Sequence, residues 1–252
     1  MNVNKISTVI ITLNEEATIE RCLNSVLDIS DEILVLDSHS TDDTARICKT
    51  FNKVRLIPTD WLGYSKTKNK GATLAKHNFI LSIDADEALD QLAIASIQKS
   101  KTMGLVDAYS FNRKNYFGKK WIKYGGWYPD TKLRLYDKTT CAWSGDFVHE
   151  TLQLSHKTET KHLSGNIEHF TVSGKKEHLE TVHKYARLAA KRDITHRKSN
   201  NGLKAGLSAC THFIKIYLIK LGFLHGSTGL WIALNSAKSK WLRYIYWQEL
   251  KA

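Results

Sequence analysis

The apolar run Phe79-Ile80-Leu81-Ser82-Ile83 ends in Asp84-Ala85-Asp86, and this junction constrains the chain more than any other stretch. A run this short, rich in β-branched and aromatic residues, predicts a buried strand. Side chains two apart on an extended chain point the same way, so Asp84 and Asp86 are expected to converge just past the strand's end. In open α/β sheets ligands bind at that carboxyl end. Two carboxylates there suit a hard divalent cation, Mg²⁺ or Mn²⁺, that keeps positions open for phosphate oxygens. Taken alone, the same three residues also fit a loop with two solvated acids.

The residues upstream supply a context. Ile6 to Thr12 reads as a strand, followed by Leu13-Asn14-Glu15-Glu16 and a helical pattern with Ile19, Cys22, Leu23 and Val26 on one face. Glu32 to Leu36 reads as a second strand, ending in Asp37-Ser38-His39-Ser40-Thr41-Asp42-Asp43-Thr44. Ser40 or Thr41 is expected to cap the next helix, whose apolar positions are Ala45, Ile47, Cys48 and Phe51. Val54 to Ile57 predicts a third strand, and Tyr64 to Lys76 a basic helix before the fourth strand at Phe79. Strands alternating with helices argue a parallel sheet with right-handed crossovers.

Thr12-Leu13-Asn14-Glu15, Asp37 with Ser40 and Asp42, Lys68-Asn69-Lys70-Gly71 and Asp84-Ala85-Asp86 together resemble family 2 glycosyltransferases of the GT-A fold in order and spacing. The resemblance extends through Gly126-Trp127-Tyr128-Pro129-Asp130, Arg134-Leu135 and Val148-His149-Glu150. This second set is similar to bacterial enzymes of the lipopolysaccharide inner core, in particular those adding β-1,4-glucose to the first heptose. One turn departs from the family. Its usual aspartate-aspartate-glycine-serine is Asp37-Ser38-His39-Ser40 here, which leaves Asp37 as the expected base and ribose reader, and His39 as a turn residue.

Composition fits an enzyme with a sizeable core: 252 residues, 42% of them hydrophobic. Cys22, Cys48, Cys141 and Cys210 show no metal-binding spacing and read as small hydrophobes in a reducing compartment. The polar opening Met1-Asn2-Val3-Asn4-Lys5 leads directly into the first strand, so no signal peptide is expected. With two prolines and no low-complexity tract, no flexible linker or internal repeat is evident.

Charge is uneven. Residues 1–173 carry 22 Lys and Arg against 21 Asp and Glu, whereas residues 174–252 carry 15 against 4 and hold +11 of the chain's +12. That asymmetry is a footprint for a polyanion, whether an anionic membrane surface, an anionic glycolipid or nucleic acid. The same segment is aromatic and apolar around Phe213–Leu224, Leu230–Leu234 and Trp241–Trp247. Lys215, Lys220 and His225 interrupt it too often for a spanning helix. Helices lying in the headgroup region are expected, with Phe213, Phe223 and Trp231 as inserting side chains. A helical subdomain packed on the sheet is the alternative. No nucleic-acid-reading module is recognisable, so nucleic acid is not the expected partner.

For glycosyl transfer, negative charge grows on a leaving diphosphate, which a metal held by Asp86 would stabilise, with Asp84 reaching the ribose or the metal's water shell. Lys68, with Lys66 or Lys70, offers positive charge to the diphosphate; a solvated helical face is the alternative, an even one for Lys66 and Lys70 and a lesser one for Lys68. The resemblance implies nucleotide-sugar contacts from Thr12, Leu13, Asn14, Glu15, Asp37, Ser40, Lys68 and the Asp84-Ala85-Asp86 triplet. An inverting displacement also needs a base for the acceptor hydroxyl. Glu150 is the first candidate, by likeness to the family's late acidic motif, and Asp130 the second. His149 is expected to complete the metal shell or contact the diphosphate, or to be structural. Trp127 and Tyr128 offer flat faces for an acceptor sugar, or are half-buried core aromatics.

The expected fold is α/β: a GT-A catalytic domain over 1–173, a mostly parallel twisted sheet flanked by helices, then a basic helical region over 174–252. The expected activity is metal-dependent transfer of a hexose from a nucleotide sugar, UDP-glucose foremost. The acceptor is expected to be a lipid-linked saccharide at the inner face of the cytoplasmic membrane, the inner-core heptose foremost. A polyprenyl-phosphate or other glycolipid acceptor, a metal-dependent nucleotidyltransferase or sugar-diphosphate hydrolase, and a basic binding module remain open alternatives.

Overall fold

The computed structural model describes residues 4–145, 150–155, 157–195 and 201–251. In chain order the elements are β1 (Ile6–Thr12), α1 (Ile19–Val26), β2 (Glu32–Asp37), α2 (Thr44–Cys48), β3 (Val54–Pro58), α3 (Tyr64–Leu74), β4 (Phe79–Asp84), β5 (Glu87–Leu89), α4 (Gln91–Met103), β6 (Ala108–Phe117), β7 (Lys120–Trp121), β8 (Asp130–Asp137), β9 (Cys141–Ser144), β10 (Thr151–Leu154), β11 (Thr160–Val172), α5 (Lys175–Thr195), α6 (Gly202–Ile214) and α7 (Ser227–Lys251). The four upstream strands and three helices expected from the apolar periodicity are present, with ends shifted by up to three residues, since Phe51 lies beyond the end of α2. The cap of α2 differs. Asp43 stands at its N-cap with its carboxylate on Arg46 and no capping bond, while the Ser40 hydroxyl turns back to Asp37.

The principal sheet runs β3-β2-β1-β4-β8-β6-β11-β5, with β7 paired to β6; β9 and β10 form a separate ribbon. β1 is parallel to both β2 and β4, and β3 is parallel to β2. β8 then joins β4 antiparallel. Being flanked on both edges and covered on both faces, β1 is buried at all seven positions, and its sequence Ile-Ser-Thr-Val-Ile-Ile-Thr is apolar or hydroxylic throughout. Alternation sends Ile6 and Ile10 into one cluster with Ile19, Cys22, Leu23 and Val26 of α1. It sends Val9 and Ile11 into another, with Ala72 of α3, Trp143 of β9 and Leu152 of β10. The register sets Thr12 beside Asp37 and Ile11 beside Asp84, so the carboxyl ends of β1, β2 and β4 lie together.

The chain forms two compact units whose boundaries fall inside β6, near the start of β8 and inside β11. One comprises residues 1–113 and 131–170; the other comprises 114–130 and 171–252. The second therefore takes in residues 114–130 as well as the basic C-terminal stretch, a division different from a single cut at 173. Within it α7 packs on both α5 and α6. Arg243 on α7 binds both oxygens of the buried Asp193 on α5. No described helix is long and apolar enough to cross a membrane. Cys22, Cys48 and Cys141 are buried as small hydrophobes, while Cys210 is exposed on α6.

Gly71 explains how α3 sits so close to the sheet. A Cβ there would lie 2.3 Å from Val9 Cγ1 and 3.1 Å from Leu36 Cδ1, both on buried side chains. Gly71→Ala should therefore force the helix off the sheet and destabilise the fold by about 1–3 kcal/mol. Urea denaturation of the variant against the parent measures it; an unchanged midpoint would mean that the helix is not seated this closely.

Candidate active site

The ends of β1 and β2 build a polar corner. The Ser38 amide donates to the Thr12 carbonyl at 2.9 Å. The Asn14 amide donates to Ser40 Oγ at 2.9 Å, and Ser40 Oγ in turn donates to Asp37. Asn14 Oδ1 accepts from the Thr41 amide at 2.8 Å, and Thr44 Oγ1 from the Glu15 amide at 2.8 Å. Asn14 and His39 are both left-handed, with φ of +56° and +63°. His39 therefore holds a backbone conformation that favours glycine, and its ring is anchored at 2.9 Å from Asp60. The hydroxyls of Thr12 and Ser38 are buried and have no hydrogen-bond partner among the described residues. Buried hydroxyls of this kind ask for a ligand or water. Leu13 is exposed beside them.

Asp84, the last residue of β4, lies in a buried charge cluster. Its Oδ1 is 2.9 Å from Lys68 Nζ and its Oδ2 accepts from Arg134 Nη2 at 2.8 Å. Arg134 also donates to Glu87 Oε1 at 2.6 Å, a carboxylate that Arg113 approaches at 3.0 Å. Glu87 Oε2 accepts from the Asp84 amide at 3.1 Å. Burial would push both acids up. The guanidinium of Arg134 outweighs it, joined by Lys68 at Asp84 and by Arg113 at Glu87, and holds both carboxyls below their ordinary range. The two carboxylates hold Arg134 above its ordinary value, against its own burial.

Lys68, expected to offer its charge to the diphosphate, has only 1% of its side chain exposed. Its ammonium lies 3.6 Å from Glu150 Oε1 as well as against Asp84, and 4.7 Å from the centroid of the Trp143 ring. Asn69 holds that tryptophan's backbone by two bonds, Nδ2 to the Trp143 carbonyl at 2.8 Å and Oδ1 from its amide at 2.9 Å. In Lys68-Asn69-Lys70-Gly71, then, Lys68 meets the acids, Asn69 fastens β9 and Gly71 admits the sheet. Lys66 and Lys70 are exposed, Lys70 donating to Thr59.

Asp84 and Asp86 do not share partners, contrary to the convergence that strand alternation suggested, because the chain turns at Ala85 and Asp86. The Asp86 carboxylate lies 3.1 Å from His169 Nε2, and its carbonyl accepts from the Phe170 amide at 3.0 Å. A partly exposed carboxylate beside an imidazole is a donor pair that Mn²⁺ or Mg²⁺ accepts, the rest of its shell coming from water and phosphate. Asp84, with both oxygens engaged, is poorly placed to join it. No group of three metal-binding side chains gathers among the described residues, and His149 lies outside them.

Thr12, Leu13, Asn14, Glu15, Asp37, Ser40, Lys68, Asp84, Ala85, Asp86 and Glu150 all belong to one compact unit; Trp127, Tyr128 and Asp130 belong to the other. There the Trp127 carbonyl accepts from Asn115 Nδ2 at 2.9 Å, and Tyr128 meets Trp121 edge-on at 5.3 Å. Asn115 Nδ2 also lies 3.4 Å from Asp130 Oδ2. Sequence reasoning gave no role to Arg134, Glu87, Trp143 or His169. Arg134 had a signal, a charge between Leu133 and Leu135 in a strand-like run; His169 had none.

Because Asp84 and Glu87 sit below their ordinary range in the folded state, their contribution to stability is complete above it and is lost as pH falls through it. Arg134→Met should cost about 3–5 kcal/mol near neutral pH by stranding buried Glu87 and Asp84. The deficit should shrink as pH falls from about 5 to about 3, where the unfolded chain and the variant's stranded acids take up protons while the parent's folded carboxylates stay ionised. Urea midpoints of both proteins across that range test this; a pH-independent deficit would contradict it.

A family model described as glycosyl transferase family 2 matches residues 7–158, from before Thr12 to beyond Glu150. An uncharacterised glycosyltransferase of Rickettsia typhi is 29% identical over 260 residues, covering 98% of this chain and 87% of that protein. A lipopolysaccharide core biosynthesis glycosyltransferase of Rhizobium meliloti is 36% identical over 90 residues, 34% of this chain and 33% of that one. Among solved structures, glucosyl-3-phosphoglycerate synthase from Mycobacterium tuberculosis, in complex with Mn²⁺ and UDP, is similar with a TM-score of 0.36 and 24% identity, over 46% of this chain and 45% of the other. The chain belongs to glycosyl transferase family 2, and the matched region carries most of the helix-flanked α/β sheet.

Proposed function

We propose that the protein moves one hexose, with inversion, from a UDP-hexose to an anionic glycolipid at the inner face of the cytoplasmic membrane. Glucose and the heptose of the lipopolysaccharide inner core are the donor and acceptor we favour. The observation that carries the reading is the Lys68 ammonium held between Asp84 at 2.9 Å and Glu150 at 3.6 Å. It fixes a partly exposed carboxylate next to the strand ends where this fold class takes its ligand. The partial likeness to a core-biosynthesis enzyme supports the acceptor class.

In this reading the free hydroxyl of Thr12 and the carboxylate of Asp37 take the nucleoside. Glu150 accepts the proton of the acceptor hydroxyl as the bond to the sugar forms, and Lys68 holds it in position from behind. Asp86 and His169 would hold a divalent metal, which when bound supplies Lewis-acid stabilisation of the departing diphosphate. Trp127 and Tyr128 would give the acceptor sugar an aromatic face, and Asp130 is the second candidate for the base.

Glu150→Gln should keep the fold and UDP binding yet lower turnover by roughly 10²-fold or more, since the amide keeps the size but cannot take the proton. A near-parental rate in that variant, with Asp130→Asn inactive, would move the base to Asp130.

UDP with Mn²⁺ should raise the melting temperature by mass action. EDTA or Asp86→Ala should abolish that rise. A full UDP shift in excess EDTA would remove the metal from the proposal.

A further inference from the structure

The α6–α7 hairpin carries an apolar surface that the fold leaves in water. After α6 the chain makes a π-helical turn, Lys215–Ile219, passes through left-handed Leu221, and makes a 3-10 turn, Gly222–His225, before α7. The corner is tightly built. A Cβ on Gly229 would stand 1.9 Å from the Gly222 carbonyl oxygen, and one on Gly222 would stand 2.7 Å from that of Ile216. This packing turns Ile216 inward and leaves Leu218, Ile219, Leu221, Phe223 and Leu224 outward, Ile219 with 72% of its surface exposed. Along α6, Leu203, Leu207 and Ile214 are also exposed, at spacings of four and seven that set them on one helical face. Exposed apolar side chains gathered on one hairpin suit a docking site.

The charge around it selects the occupant. Between Asp193 and Glu249 the chain has no acidic residue. Lys204, Lys215 and Lys220 are exposed among the apolar side chains. Lys240 is held below its ordinary value by burial and by Arg243, Arg192 and Lys215, so like charges crowd one another in this unit. A second copy would oppose like charges. A bilayer with anionic headgroups meets both demands, phosphates for the lysines and an acyl boundary for the leucines.

We propose that the α6–α7 hairpin is a membrane-docking element: Leu218, Ile219, Leu221, Phe223 and Leu224 enter the acyl boundary of an anionic leaflet while Lys204, Lys215 and Lys220 meet its phosphates. It deepens the glycolipid reading above and names different inserting residues from the sequence pattern. Phe213 stacks on Tyr217 at 5.3 Å, and Trp231 is half-buried under Lys175 at 4.8 Å; of the three aromatics expected to insert, Phe223 alone is exposed.

Co-sedimentation of the full chain with vesicles of equal parts phosphatidylcholine and phosphatidylglycerol, and with phosphatidylcholine alone, tests it. Binding is expected to the mixed vesicles and to weaken only in part when salt shortens the Debye length from ~10 Å to ~3 Å. The exposed pair Leu218→Ser/Ile219→Ser should keep the parental melting temperature and lose at least about tenfold in partitioning. Lys204→Gln/Lys215→Gln should lose a similar factor on mixed vesicles only, roughly tenfold. No sedimentation at low salt, or partitioning unchanged in both pairs, would overturn the proposal. So would a dimer by light scattering that the serine pair dissolves, since the occupant would then be a second copy. The UDP thermal shift is read without lipid, so it can stand while docking fails, and docking can stand while it fails.

Discussion

The Lys68 ammonium, shut away from solvent against Asp84, is the interaction on which the site depends. An ammonium in that position is tolerated only when the surrounding charges and dipoles repay its lost hydration. Asp84 supplies the nearest charge, the Trp143 ring a cation-facing surface and Glu150 a second carboxylate. Each partner comes from a different part of the chain: the end of β4, the separate β9–β10 ribbon and the loop before β10. One buried charge therefore ties the parallel half of the sheet to the segment that carries the candidate base.

Arg134 performs the complementary task. Without it, Asp84 and Glu87 would be two acids in a poorly hydrated place, each raising the energy of the other. With it, both stay ionised and β8 is fastened to the turn after β4. The rigidity this provides matters for transfer chemistry, where a misplaced carboxylate loses rate steeply. Gly71 serves the same end, since the close approach of α3 is what brings Lys68 down to the strand ends.

The second unit follows other rules. Its interior is fastened by Arg243 on Asp193, by the His183–Tyr246 contact at 2.6 Å and by aromatic pairs, while much of its apolar surface faces outward. Exposed leucines interleaved with lysines are costly for a protein that stays in bulk water and suited to one working at an anionic surface. A transferase with a lipid-linked acceptor meets its substrate in two dimensions there, so a docking hairpin and a glycolipid site would serve one purpose.

By itself the sequence determined the local elements. Apolar periodicity fixed four strands and three helices, and the buried face of α1 (Ile19, Cys22, Leu23 and Val26) was legible residue by residue, because 3.6-residue spacing reports burial directly. It also marked the corner of Thr12, Asn14, Asp37 and Ser40, since strand-terminal polar residues in an α/β pattern have a known direction. Tertiary structure alone decided which charges meet. Alternation set Asp84 and Asp86 on one side, but the turn at Ala85 gave one to Lys68 and Arg134 and the other to His169. Lys68 read as a charge for the diphosphate; the close seat of its helix at Gly71 sets it against Asp84 and Glu150 instead. Likewise the basic, aromatic C-terminal stretch told of a polyanion, while the packing of Gly222 and Gly229 chose which side chains face it. Spacing along a chain sets the face of an element. The partner of a long side chain is set by whatever the rest of the fold carries to that face.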